Sequence, residues 1–434
     1  MAVNHPTNGK KFRRCNMIIP ERWLCAMIIP ILLSLMVFPA QAAEEIRIGS
    51  LNDVTGATSD VGKDYAMGIR EAIQYFNDQG GVNGKKIKLY LYDYGYRIPE
   101  AITTYKRFKN FDRVLAVLGW GTGDTEALSP IITKDQMPYI SASYSAHLTD
   151  PSKTPYNFFA APDYSTLART CITAWYDEIW LKHPMYKKRV EAGEKPRFMC
   201  FYMFASPYAS SPIKAIKDQA QMLGFDIGED QDVSLTALDT KSQVLSAAKF
   251  KPDLIWHGNT TMSVATALKD AYAQNLGAWH IINPWGFDEN LPRLAGPAAE
   301  NAIGAVLCAF YGEPVELMDQ VLAYGRKLNP GVPEENRLVR TIQAWANASI
   351  LWEALKRADK AGKLNGPGIK EAFETFEGFE FGLGVSPLSF SVSDHRPSSI
   401  GKAYIYKDGK FQLLKKIDLK ERWPEKWEKE WIGW

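Results

Sequence analysis

Short apolar strands alternate with stretches of helical spacing along most of the chain. Ile46 to Leu51 (IRIGSL) alternates as a half-buried strand does, and Asp53 to Gly62 follows as a polar, glycine-bearing loop. From Tyr65 to Asn77, the apolar residues Met67, Ile69, Ala72, Ile73 and Phe76 recur with the period of a helix. "DQGGVNGKKIKLYLYD" then turns through its glycines into a strand ending at Asp93. A helix over Glu100 to Phe108, a strand over Val114 to Leu118, a helix from Thr125 and a strand over Pro138 to Ser141 continue the alternation. The pattern then restarts. Strands are predicted at Arg197 to Tyr202, Asp253 to His257, His280 to Asn283 and Ala302 to Phe310, with helices at Ser211 to Leu223 and Met262 to Gln274. Strands alternating with helices predict parallel, doubly wound sheets, and two such runs predict two α/β lobes. Sheets of this kind take ligands at the carboxyl ends of their strands, where Asn52, the loop at Gly119, Ser141 and Asn283 fall.

The amino terminus departs from this pattern. Lys10, Lys11, Arg13 and Arg14 make a basic start, and Trp23 to Phe38 (WLCAMIIPILLSLMVF) is continuously apolar but shorter than the about 20 residues of a membrane span. Ala40-Gln41-Ala42 supplies the small-residue cleavage pattern, so residues 1–42 are expected to be a removed signal peptide, with Met17 as an alternative start. Of 51 basic and 49 acidic residues, five basic and one acidic lie in that segment, leaving 46 and 48 and a net charge of −2. A nearly neutral mature chain has no basic patch for nucleic acid. Cys171, Cys200 and Cys308 remain, without metal-ligand spacing, and are expected to be buried, with at most one disulfide.

Candidate chemistry concentrates in "VLGWGTGDTEAL", Val117 to Leu128. Gly119, Gly121 and Gly123 follow a strand and open a helix, where backbone N–H groups can hold an anion. No Lys-Ser/Thr pair follows, so it is not a P-loop, and Gly123 comes too early for a dinucleotide fingerprint. Trp120 sits at the tip of this turn, a poor place for a core residue and a good one for a cleft wall.

"IRIGSLNDVTGATSDVGKDYAMGIREAIQYFNDQGGVNGKKIKLYLYD" resembles the opening of type I periplasmic solute-binding proteins of the branched-chain amino acid class. The resemblance continues through "AVLGWGTGDTEALSPIITKDQMPYISASYSA", "SPYASS", "DLIWHGNTTMSVATALKDA" and "LAGPAAENAIGAVL", covering Ile46 to about Asp408. It implies two α/β lobes joined by three crossovers near Asp163, Phe310 and Gly384, with the ligand in the cleft between them. The first lobe would then comprise residues 43–163 and 311–384, and the second 164–310 and 385–434 with the Trp-rich tail. It also implies export to the periplasm, a monomer without cofactor or metal, and a membrane permease of an ABC transporter as partner.

The family's carboxylate loop falls on Gly121, Thr122 and Gly123, and its next loop on Ser143 and Ser145. Its closing aromatic falls on Tyr208 and a further contact on Thr260. One departure stands out. Where amino-acid binders carry an acidic residue for the ammonium, this chain has "NPWG" with Trp285. A buried ammonium needs a countercharge, and an indole face offers only about 0.5–2 kcal/mol. The expected ligand is therefore a small carboxylate, aromatic or strongly apolar and without α-ammonium, lying between Trp120 and Trp285. Two alternatives stay open: an ordinary aliphatic amino acid whose ammonium meets Asp288 or Glu289, and a sensory receptor presenting its closed form to a signalling partner. No G-x-S-x-G, H-E-x-x-H or Cys/His signature is present, so no enzyme activity is expected. In the tail "ERWPEKWEKEWIGW", Trp427 and Trp431 fall on one face of a helix opened by Pro424; packing on the second lobe and contact with a permease or membrane are both compatible with that spacing.

Overall fold

The computed structural model describes residues 45–434, together with residues 1, 2, 9–11 and 14. The expected signal peptide rests on Trp23 to Phe38 and on Ala40-Gln41-Ala42, which lie outside the described residues.

Five parallel strands make the first sheet: β1 (Ile46–Asn52), β2 (Ile87–Asp93), β3 (Ala116–Leu118), β4 (Tyr139–Ile140) and β5 (Asn157–Phe158), in the order β2-β1-β3-β4-β5. Their helices are α1 (Ser59–Asp78), α2 (Ile98–Arg107) and α3 (Thr122–Asp135). Because the chain leaves β1 for β2 and returns to β3 on the other side, the strand order reverses between β1 and β3. That reversal opens a crevice at the carboxyl ends of the strands, and loops 53–58 and 119–121 meet there.

The second lobe begins with α4 (Tyr164–Trp175), capped by the Asp163 carboxylate on the Thr166 N–H, and β6 (Arg197–Tyr202). It continues through α5 (Ile213–Met222), β7 (Asp226–Ile227), β8 (Gln231–Asp232), α6 (Lys241–Phe250), β9 (Leu254–His257), α7 (Thr261–Ala273), β10 (Trp279–Ile282) and β11 (Ile303–Ala305). The parallel part of the sheet runs β11-β10-β9-β6-β7, with β8 beside β6. The sheet's last two strands, β12 (Ile400–Lys407) and β13 (Lys410–Asp418), are antiparallel and form a hairpin on one edge. The strand expected from Ala302 to Phe310 ends at Ala305, where the chain leaves the sheet to cross between lobes.

After that crossing, α8 (Met318–Leu328) and α9 (Val339–Lys360) pack on α1, and α10 (Gly366–Phe373) packs on α9, so this segment completes the first lobe. Leu383 approaches the crossing, its carbonyl accepting from Ala309, but the residues after Gly384 turn back to the first lobe. Phe390 packs edge-on against Phe158 of β5 and against Phe376, and the His395 N–H donates to the Thr149 carbonyl. This aromatic cluster holds the chain on the first lobe until it joins the second sheet at Ile400, later than the Gly384 passage expected above.

Trp175, Trp256 and Trp345 are wholly buried, so much of the aromatic surplus is core. The tail contributes as well: Trp427 and Trp431 are buried, with the guanidinium of Arg396 3.9 Å from the first ring and that of Arg169, on α4, 4.1 Å from the second. Cys171, Cys200 and Cys308 are buried free thiols.

Candidate functional site

At the crevice, Asp53 organises the loop after β1. Its carboxylate accepts from the Gly56 and Thr58 N–H groups and from the Thr58 hydroxyl. The Thr58 hydroxyl in turn accepts the indole N–H of Trp120 at 2.9 Å, which fixes that ring over the end of the sheet. Opposite, the Asn283 side chain donates to the carbonyls of His257 and Asn259, tying the ends of two second-lobe loops together. Its oxygen accepts from the Trp285 N–H and from the Tyr208 hydroxyl, at 2.8 and 2.6 Å.

These loops enclose a chamber lined by Thr58, Val61, Tyr96, Trp120, Gly121, Thr122 and Ala142 from the first lobe, and by Tyr164, Tyr208, Thr260 and Trp285 from the second. Trp285 crosses to the first lobe, edge-on to Trp120 at 5.0 Å and stacked with Tyr144 at 5.8 Å. Its indole N–H donates to the Tyr164 hydroxyl at 2.8 Å. None of the lining side chains carries a charge. The space left is about 20 Å³, room for about one water.

Six of the residues read from the sequence come together here: Trp120, Gly121, Thr122, Tyr208, Thr260 and Trp285. Thr122, the first residue of α3, shares a 2.7 Å hydrogen bond with the Ser143 hydroxyl, so Ser143 stands behind Thr122 rather than in the wall. The Ser145 hydroxyl is bonded to Ser211 of the second lobe at 2.9 Å, a lobe-to-lobe contact rather than a lining position. Gly123 faces Pro207 and Ile98 in an adjoining groove. Gly121 leaves out its Cβ for the protein itself: that atom would run into the Asp124 carboxylate, the Tyr96 ring and the Tyr94 hydroxyl.

The Thr260 hydroxyl is buried without a partner among the described residues. Sequence reading missed Thr58, Val61, Tyr96, Ala142 and Tyr164. The signal for Tyr96 was available, since "YGY" directly follows the carboxyl end of a strand.

Two acidic residues near the chamber, Asp288 and Glu289, are committed elsewhere. Asp288 is wholly buried and pairs with the equally buried Arg340 at 2.8 Å, while the Thr261 hydroxyl donates to the same carboxylate oxygen. Arg340 also donates to the Pro284 carbonyl, and its guanidinium lies 5.1 Å from the Trp285 ring centroid. Glu289 accepts from the Val339 and Tyr311 N–H groups; burial, helped by the nearby Asp288, pushes its carboxyl up to about 7. Asp60 reaches across the cleft to the Met262 N–H at the start of α7, and burial raises its carboxyl above the ordinary range.

The periplasmic binding protein profile matches residues 45–408. A solved ABC transporter substrate-binding protein of Aeropyrum pernix superposes with a TM-score of 0.78 at 30% identity, over 86% of this chain and 96% of that one. The Leu/Ile/Val-binding protein of Citrobacter freundii is 22% identical over 83% of this chain and 95% of its own length. An amino acid binding protein of Pseudomonas aeruginosa is 33% identical over 86 residues, a match spanning 20% of this chain and 23% of that protein. The α/β architecture with its two sheets and the extent of the profile match agree, and the chain belongs to the periplasmic binding protein family.

Proposed function

We propose that this protein is the solute receptor of an ATP-driven importer and works in the periplasm. Its lobes close on a small carboxylate that carries an aromatic or large apolar group and no α-ammonium. The observation that carries the reading is the chamber wall: aromatic and hydroxyl-bearing on both lobes, and without a charged side chain. A zwitterion enclosed there would leave its ammonium without a countercharge, which is costly in a buried site. Asp288 is neutralised by Arg340, and Glu289 is turned to backbone amides of the first lobe. Arg340 also stands against the Trp285 ring, which makes that indole a poor cation acceptor. A carboxylate, in contrast, finds the positive amino end of α3 at Thr122, with the Thr122 and Thr260 hydroxyls beside it.

The test is a thermal-shift panel pairing each amino acid with its deaminated carboxylate, for example phenylalanine with 3-phenylpropionate. A ligand at about 100 times its dissociation constant adds about 2.7 kcal/mol. The deaminated partners are expected to stabilise the protein and to quench tryptophan fluorescence in the cleft. Shifts with leucine, isoleucine or valine alone would support the second reading, an ordinary amino-acid receptor, which the names of the Citrobacter freundii and Pseudomonas aeruginosa relatives favour.

Thr122→Val keeps the shape of the wall but removes a donor to the anion. A charge-assisted hydrogen bond contributes about 1.5–3 kcal/mol, so affinity for the best carboxylate of that panel should fall roughly 10- to 150-fold by titration calorimetry. An unchanged affinity would place the anion elsewhere.

A further inference from the structure

One aromatic side chain of the chamber wall lacks a polar tie. Of its five aromatic side chains, four have their polar ends hydrogen-bonded within the protein: Trp120 to Thr58, Trp285 to Tyr164, Tyr164 from Trp285, and Tyr208 to Asn283. The fifth, Tyr96, has no hydrogen-bond partner for its hydroxyl among the described residues. Its neighbour Tyr94 differs, donating to Asp124 at 2.7 Å. Tyr96 is also a left-handed residue, at φ +57°, directly after Gly95 at φ +61°. A non-glycine residue in that region is held by its surroundings rather than by its own preference.

Beyond the Tyr96 ring lies a second cavity between the lobes, of about 260 Å³, and Tyr96 is the side chain common to both linings. Ile98 and Gly123 line this groove from the first lobe, and Met203, Ala205, Pro207 and Leu235 from the second. Asp124, Ser206, Ser234 and Thr236 line it as well, but Asp124 is only 2% exposed with one oxygen bound by Tyr94 and Ser206 is buried, so the two exposed hydroxyls of Ser234 and Thr236 interrupt a mainly apolar surface. The inner space of about 20 Å³ has room for about one water, so a carboxylate with any apolar part enters only if a wall moves.

We propose that Tyr96 is the gate between the two cavities and a specificity-determining residue for ligand length: its ring swings aside so that an unbranched apolar chain, attached to a carboxylate held in the chamber, runs on into the groove. The substrate class is then extended alkanoates and arylalkanoates rather than compact ones. This rests on the carboxylate reading above.

The experiment measures affinities for the linear series from propanoate to decanoate, by calorimetry, in the wild type, Tyr96→Ala and Ala205→Trp. In the wild type, affinity should rise about four-fold for each methylene that enters the groove, from about 0.8 kcal/mol per buried methylene. Tyr96→Ala removes contacts from short ligands and the obstacle to long ones, so the ratio of octanoate to butanoate affinity should grow by at least roughly ten-fold on that scale. Ala205 is exposed at the groove and outside the chamber, so Ala205→Trp should weaken octanoate and leave butanoate unchanged. Binding of short chains with no gain from longer ones, or full octanoate affinity in Ala205→Trp, overturns the gate and leaves the carboxylate reading intact. Failure of the whole series, with amino acids binding instead, overturns both.

Discussion

Arg340→Ala is expected to destabilise the protein by about 3–5 kcal/mol in urea unfolding at neutral pH, the scale for removing one partner of a fully buried ion pair. Arg340 and Asp288 are both 0% exposed, so solvent does not screen the charge left behind. The Asp288 carboxylate would retain only the Thr261 hydroxyl and the Asn290 N–H, and the Pro284 carbonyl and the Gln343 side chain would each lose a donor. The pair also joins the lobes, because Arg340 lies on α9 and Asp288 follows β10. Small-angle scattering of the variant should therefore show a larger radius of gyration. Replacing both partners by apolar residues, Arg340→Met with Asp288→Leu, should recover most of the loss, since no uncompensated charge remains. A single-variant effect below about 1 kcal/mol, the range of exposed pairs, would mean that the pair is not buried in the solution state.

That ion pair also marks where sequence reading stops. Three residues beyond Trp285, Asp288 reads in sequence as an ammonium partner; its commitment to Arg340 is a tertiary fact that spacing does not carry. Local patterns were far more legible. The strand predicted from Arg197 to Tyr202 has those bounds, and most first-lobe elements fall within a few residues of their predicted positions, because apolar periodicity records which face is buried. The edge hairpin was missed although Asp408-Gly409, both with positive φ, links two alternating strands, a recognisable turn signal. Within the site, the sequence indicated the loops that build the wall but not the side chains that reach it. Ser143 and Ser145 occupy the expected loop, yet each hydroxyl is engaged by another hydroxyl, Thr122 and Ser211. Tyr96 comes from a loop whose aromatic residues read equally well as a turn after a strand.

Asp124→Asn is expected to stabilise the protein at pH 8 by about 4 kcal/mol and to leave its stability at pH 4 nearly unchanged. Asp124 is the third residue of α3, with one carboxylate oxygen accepting from Tyr94 and the other buried without a partner among the described residues. Burial pushes its carboxyl from 3.8 up to about 7, against the downward pull of the Tyr94 hydroxyl and of the N–H groups of Asp124 itself and Gly121. The folded state therefore keeps a proton that the unfolded chain releases near pH 4. Stability linked to this group is fully present below pH 4 and is lost as the pH rises through about 7. Three units correspond to about 4 kcal/mol at about 1.36 kcal/mol per unit. Asparagine keeps an acceptor for Tyr94 but carries no charge, so the variant escapes that loss. Glu289 shifts in the same direction in both proteins and cancels in the comparison. Unfolding free energies of the two proteins, measured in urea from pH 4 to pH 8, should diverge steadily through this window. Parallel curves would mean that Asp124 is ionised and partnered throughout, and that the amino end of α3 already holds a full negative charge. The first-turn N–H groups would then be poorly placed to receive a ligand carboxylate, so the shape of this one curve bears directly on what the chamber binds.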